Sequence, residues 1–98
     1  MPPNLQVRHN EALCRFEADV KGGVAHCDYE RRGEVVYAHH TEVPAAAEGQ
    51  GLAAVVVRAL IEHAEANGLK VEPGCSYVRG YMRRHAETHG LLPAGISV

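Results

Sequence analysis

Hydrophobic and polar residues alternate along the first half of the chain and then change to helical spacing. From Cys14 to Val20, the residues Cys14, Phe16, Ala18 and Val20 fall on one side, with Arg15, Glu17 and Asp19 on the other. That pattern marks a half-buried strand. Lys21-Gly22-Gly23 supplies a hairpin turn. Val24 to Arg31 continues with Ala25, Cys27 and Tyr29 on one face, and Arg32-Gly33 turns the chain again. Glu34 to Val43 reads as the next strand, and strict alternation groups Val35, Tyr37, His39, Thr41 and Val43 on one face. Leu5 to His9 makes a short first strand closed by Asn10-Glu11. Together these segments predict an antiparallel meander with polar outer faces.

Pro44 ends the last of these strands, and the period changes. Leu52, Val55, Val56, Ala59, Leu60 and Ala64 recur at helical spacing, with Arg58, Glu62, Glu65 and Asn67 turned away from them. Three consecutive valines lower intrinsic helix propensity. The spacing outweighs them, and Gly68 supplies a left-handed stop. Leu69-Lys70-Val71 then fits a short strand, so a right-handed crossover joins two parallel neighbours. Pro73-Gly74 breaks the chain, and Ser76 is placed to cap a second helix running to about His85. The segment after Glu87 has no clear period.

The chain has 98 residues and a formal net charge of −2. One domain, 1–98, is the natural organisation. The charge gives no electrostatic case for nucleic acid or an anionic membrane. Three cysteines, Cys14, Cys27 and Cys75, match no zinc spacing and suit a reduced interior. The opening Met-Pro-Pro-Asn lacks the layout of a signal peptide, and no apolar run spans a bilayer. A cytoplasmic location is the expectation. His85 and His89 share a helical face with Glu87 between them. The zincin pattern needs Glu directly after the first His, where Ala86 stands, and no third ligand is evident. No metal is expected.

The chemistry concentrates in Glu48-Gly49-Gln50-Gly51-Leu52-Ala53, between a strand and a helix. Two glycines allow a sharp turn and a close approach to bare backbone. The first amides of the helix have no internal partner, and with the helix dipole they favour an anion such as a diphosphate. A tight turn serving structure alone is the competing explanation. No Gly-Lys-Ser/Thr follows, and the third glycine of the dinucleotide fingerprint is missing.

This loop resembles the coenzyme A signature of the GNAT superfamily of N-acetyltransferases, Gln/Arg-x-x-Gly-x-Gly/Ala. Gly51 and Ala53 match its last fixed positions, whereas Glu48 stands where Gln or Arg is usual. His40-Thr41-Glu42-Val43-Pro44 before the loop resembles a compact single-domain branch of that family. So do Gly68-Leu69-Lys70-Val71 and Cys75-Ser76-Tyr77-Val78 after it, with Tyr81 and Arg83-Arg84-His85. That branch commonly continues His-Pro-Glu-Tyr, and His85-Ala86-Glu87-Thr88 departs from it. The resemblance covers roughly Phe16 to Leu92.

The resemblance implies an α/β (α+β) fold: a mainly antiparallel sheet with splayed central strands, a long helix after the fourth strand and a second helix near the C-terminus. It implies acetyl-coenzyme A as co-substrate, in the gap between the splayed strands. Thr41, Glu42 and Val43 would lie along the pantetheine arm. Glu48, Gly49, Gln50, Gly51, Leu52 and Ala53 would hold the diphosphate, with Cys75, Tyr81 and Arg84 also against the cofactor. The acceptor would be an amine, on a small molecule or on a protein lysine or N-terminus. Only Asn10-Glu11 stands where larger relatives carry helices over the acceptor, so that side should be open.

Acetyl transfer to an amine needs a proton acceptor, stabilisation of the carbonyl oxygen and a proton donor for the leaving thiolate. Glu42 and His40 share a strand face by alternation and are the candidates for the base, with His39 turned the opposite way. An ordinary surface carboxylate and a hydrogen-bonded strand histidine are the alternatives. Cys75 is either a nucleophile or a packed apolar thiol. Tyr81 resembles the family's thiolate-protonating tyrosine, with Tyr77 as the alternative. Arg79, Arg83 and Arg84 are either contacts for a phosphate or acidic acceptor, or a solvated helix face. Two other functions fit the same residues: a non-catalytic acyl-coenzyme A binder or sensor, and a small interaction module. The sequence allows a monomer or a dimer.

Overall fold

The computed structural model describes residues 5–98. The opening Met1–Asn4, read above for the absence of a signal peptide, lies outside them. Strand β1 spans Arg8–Asn10, β2 Arg15–Val20, β3 Gly23–Arg32 and β4 Val35–Glu42. A single 3-10 turn at Ala45–Ala47 leads into helix α1, Leu52–Ala66. Strand β5 (Lys70–Pro73), helix α2 (Ser76–Arg84) and a 3-10 segment at Ala86–Leu91 complete the order. The five strands lie in sequence order across one sheet. The first four pair antiparallel, and β4 pairs with β5 in parallel. The α/β meander and its crossover helix are therefore as the alternation and the resemblance implied.

Both helices cover the same sheet face. Val56, Val57, Leu60, Ile61 and Ala64 of α1 join Val78 and Met82 of α2 in one buried cluster with Phe16, Ala18, Ala25, Cys27, Val36, Ala38 and Val71. Burial of Val56 and Val57 offsets their poor helix propensity, since a buried valine contributes about 1.5–3 kcal/mol. Gly68 takes a positive φ of 68°, and the Leu69 amide returns to the Ala64 carbonyl at 2.9 Å, closing α1.

Four sequence expectations are corrected. Strand β1 is Arg8–Asn10 instead of Leu5–His9, so Asn10 belongs to the strand and does not close it. In α1, Val57 and Ile61 are buried, whereas Val55 and Ala59 of the expected face are half-buried. Tyr29 pairs with Ala38 but Asp28 pairs with His40, so His39 is an extra residue in β4. A bulge of this kind sets two residues against one and reverses the alternation beyond it. Val36 and Ala38 are buried before the bulge and Thr41 after it, in place of a single face running from Val35 through Val43. His39 and His40 are consequently both exposed instead of facing opposite ways. At α2, Ser76 is the first helical residue and Cys75 is the cap. The Cys75 carbonyl accepts the first helical bond from the Arg79 amide at 3.0 Å, and no side chain caps this end. The C-terminal segment without a period is tied down by Lys70, whose Nζ donates to the Gly90 carbonyl, and by Arg79, which donates to that of Ser97.

The uncovered sheet face carries a polar ladder. Arg8, Glu17, His26 and Glu42 are successive cross-strand partners from β1 to β4. Glu17 is only 5% exposed at its side chain. Burial alone would raise its carboxyl, but hydrogen bonds from Arg15 (2.5 Å), Arg8 (2.7 Å) and Asn10 (3.1 Å) outweigh that and hold it at about 2, against 4.5 ordinarily. A lowered folded value stabilises the protein above the unfolded value and loses that effect as pH falls toward the folded one. Glu17→Gln is therefore expected to cost about 1–3 kcal/mol at neutral pH and to flatten the loss of stability between 4.5 and about 2. Denaturant melts across that window check this; an unchanged acid slope would assign it to another group.

Candidate functional site

The site starts where the parallel pairing stops. The register of β4 with β5 runs from Val35↔Lys70 to Ala38↔Pro73. One further bond follows, from the Gly74 amide to the Ala38 carbonyl at 2.7 Å. Beyond it β4 continues to Glu42 on β3 alone, while the chain after β5 turns through Cys75 into α2. A wedge opens between them. Gly74 belongs at its apex because a Cβ there would run into the Tyr37 ring and come within 2.9 Å of the Ala38 carbonyl oxygen.

The glycine loop lies at the wedge's mouth. Gly49 and Gly51 have φ of 83° and 72°, in the left-handed region where glycine is at ease. Gly51 caps α1 with no side-chain hydrogen bond, and the first turn of the helix holds no acidic residue. Its first amides thus have no acceptor within the helix. A cavity of about 310 Å³ is lined by Val43, Glu48, Gly49, Gly51, Ala53 and Tyr77, among others. An added Cβ at Gly49 or Gly51 would meet no protein atom within 4 Å, so the loop leaves room for a guest. Behind it, Ala46 packs against Gly22 of the β2–β3 hairpin so closely that a Cβ at Gly22 would come within 2.8 Å of it.

Thr41 and Cys75 face each other inside the wedge. The Thr41 hydroxyl donates to the Cys27 sulfur at 3.4 Å and lies 3.4 Å from the Cys75 sulfur. With its own proton directed to Cys27, Thr41 accepts from the Cys75 thiol. Burial pushes the Cys27 thiol up to about 12, making it inert. Cys75 is half-buried and packs on the core edge.

Glu42 and His40 lie on the uncovered face. Glu42 is 62% exposed, and its two oxygens are divided between two imidazoles: Oε1 is 3.6 Å from His40 Nε2, and Oε2 is 3.5 Å from His26 Nε2. Thr41, between them in sequence, points the opposite way into the core.

Tyr81 takes a different place from Tyr77. It stacks on His85 with centroids 4.0 Å apart and lines a cavity of about 590 Å³ along α1, together with Gly51 and Arg58. Burial raises its phenol above the ordinary tyrosine value. Tyr77, 56% exposed, is the tyrosine beside the glycine loop. Gly51 lines both cavities, which makes it their meeting point. Arg84 is exposed at the last residue of α2. His85 pairs with Glu87 at 3.1 Å and His89 with the Met82 carbonyl at 2.7 Å, so each has a protein partner.

Residues absent from the sequence reading join the site. His26 and Asp28 reach it from β3, and only the cross-strand register reveals them. Among the described residues, no helix is long and apolar enough to cross a membrane.

Comparison with known proteins agrees with this geometry. A sequence profile of the GCN5-related N-acetyl-transferase family matches residues 15–91. The NMR solution structure of a GCN5-like protein from Staphylococcus aureus aligns with a TM-score of 0.71. That alignment covers 93% of this chain and 90% of that one at 22% identity, a likeness of fold.

The three thiols should differ in reactivity. In native protein, exposed Cys14 is expected to be alkylated first, half-buried Cys75 more slowly, and Cys27 only after denaturation. Mass spectrometry of a labelling time course reads the order. Native labelling of Cys27 at the rate of Cys14 would contradict the buried arrangement.

Proposed function

This chain belongs to the GCN5-related N-acetyltransferase family, and we propose that it moves the acetyl group of acetyl-coenzyme A to a primary amine by direct attack. The observation that carries the proposal is the wedge between β4 and β5 with an uncapped, glycine-lined helix start at its mouth. The residues present fit such a co-substrate. Gly49 and Gly51 leave open space in front of bare backbone, and the dipole of α1 favours a diphosphate there. The β4 backbone from His39 to Val43 lies beyond the last β5 pairing and is available to an extended pantetheine arm. Bound there, acetyl-coenzyme A would supply the thioester.

The side chains divide the remaining work. Glu42, exposed at the end of β4, takes the proton from the attacking amine, with His40 beside it as the second candidate. Cys75 and Thr41 line the wedge, where the Cys75 thiol donates to a neutral hydroxyl and serves as a contact surface. A direct attack needs no protein nucleophile. Tyr81, a neutral phenol, is the proton donor for the leaving group, and Tyr77 stands nearer the loop as its alternative. Arg84, at the end of α2, is assigned to the outer phosphate. The acceptor approaches over the polar face, which no helix among the described residues covers because a tight turn alone joins β1 to β2.

Glu48 sets a carboxylate on the edge of an anion site. Removing one like charge near a diphosphate is worth about 1 kcal/mol in a solvent-exposed loop, or about fivefold in affinity.

Isothermal titration is expected to show acetyl-coenzyme A binding in the micromolar range. Glu48→Gln should tighten it several-fold, and Gly51→Asn, a residue that tolerates the left-handed backbone, should weaken it while the fold persists. The absence of both binding heat and thermal stabilisation at millimolar ligand would refute the binding reading. Against a panel of polyamines and lysine peptides, Glu42→Gln should cut coenzyme A release about a hundredfold with KM for acetyl-coenzyme A within twofold. Equal rates for variant and wild type would remove Glu42 from the chemistry.

A further inference from the structure

The β3 strand brings to Glu42 a pair of residues that the proposed chemistry does not yet use. His26 is the direct cross-strand partner of Glu42, and Asp28 is that of His40. The His26 ring is only 12% exposed at its side chain. Its Nδ1 lies 2.7 Å from Asp28 Oδ1, which fixes the ring plane and, with that nitrogen protonated, aims Nε2 outward. When Nε2 is protonated as well, its N–H faces the Glu42 carboxylate, whose Oε2 lies 3.5 Å away. The result is an ordered chain, Asp28 to His26 to Glu42, whose inner end is held and whose outer end is in solvent. We infer that His26, anchored by Asp28, is the positioning residue for Glu42, setting the direction of its carboxylate on the open face.

The inference rests on Glu42 as the group that takes the amine proton. Two features favour positioning over an ordinary surface pair. An exposed carboxylate paired only with another mobile side chain gains about 0–1 kcal/mol and no fixed direction. Here the partner ring is nearly enclosed and held from its far side, as an orienting carboxylate holds a catalytic histidine. The bulge at His39 supplies the second feature. It shifts the register by one residue, which brings His26 opposite Glu42; the unbroken register of Arg32↔Val35 would have set it opposite Thr41. The charged and titratable groups facing His26 are Glu17 on β2, Asp28 on its own strand, and Glu42 and His40 on β4, with Arg15 opposite Asp28.

The test compares wild type with His26→Asn, Asp28→Asn and Glu42→Gln in two readouts. In the amine panel, His26→Asn should lower kcat five- to fiftyfold, leave KM for acetyl-coenzyme A within twofold, and move the acid limb of the pH–rate profile upward by at least half a unit. Asp28→Asn should give a smaller change in the same direction. A merely structural role would move stability without moving that limb, so an unshifted limb overturns the inference. The second readout needs no turnover. In imidazole 15N spectra, Glu42→Gln should change the His26 Nε2 resonance and leave His89 as it is. An unchanged His26 signal also overturns the inference. If no amine is acetylated, the chemistry assigned to Glu42 falls, and the imidazole spectrum alone decides whether His26 holds it.

Discussion

The hydrogen bond from the Gly74 amide to the Ala38 carbonyl is the constraint on which the site depends. It is the last link between β4 and β5. Strands that continued in parallel would satisfy each other's backbone groups and leave a closed sheet. Here β5 ends at Pro73 and the chain leaves through Cys75, so β4 runs on with one edge free. Unpaired strand edges are ready templates for an extended partner. Gly74 makes the departure possible, since any side chain there would press on the Tyr37 ring and the Ala38 carbonyl. The wedge and its free edge thus follow from one small residue at one junction.

The bulge at His39 is the second feature that shapes this region. It falls one residue past the last β4–β5 pair, so strand separation and the change of facing occur together. Thr41 is thereby turned inward to its contacts with Cys27 and Cys75. His40 and Glu42 are turned outward to His26. One extra residue therefore sorts neighbouring side chains into a wedge-lining group and an open-face group. Without it, Thr41 and Glu42 would exchange faces, and a hydroxyl would occupy the position proposed for the base.

Much of the fold was legible in residue periodicity. Alternation in β2 and β3 placed Phe16, Ala18, Ala25 and Cys27 in the core, although Glu17 is buried on the other face of β2. The helical spacing placed Leu52, Val56, Leu60 and Ala64 there, but Val57 and Ile61 are buried while Val55 and Ala59 are half-buried. The glycine loop was legible too, because positive φ has few alternatives to glycine. The bulge was not, since Ala38-His39-His40 carries no glycine or other mark. The facing of His39 was misread for that reason. His26 and Asp28 escaped notice because they belong to the site only through the register, and a one-residue shift decides which residue meets Glu42. Tyr77 and Tyr81 differ by a single helical turn, and only the path of α2 beside α1 separates the loop's neighbour from the one stacked on His85.

The location of Glu42 carries a physical cost. A carboxylate in solvent keeps its charge easily, but it lacks the dry surroundings that make a base strong and fixed in direction. Enzymes that cover the acceptor gain those surroundings from the cover. This chain joins β1 to β2 through a tight turn, with Cys14 in a left-handed conformation, and leaves the polar face uncovered. Orientation must then come from beneath, from the sheet itself. The cross-strand ladder can provide it, because its inner members are enclosed. Glu17 is buried under two arginines, and His26 is enclosed and anchored by Asp28. An open site on a rigid polar ladder gives up water exclusion and keeps direction. For the proposed transfer, that exchange suits an exposed amine on a large substrate as well as on a small molecule.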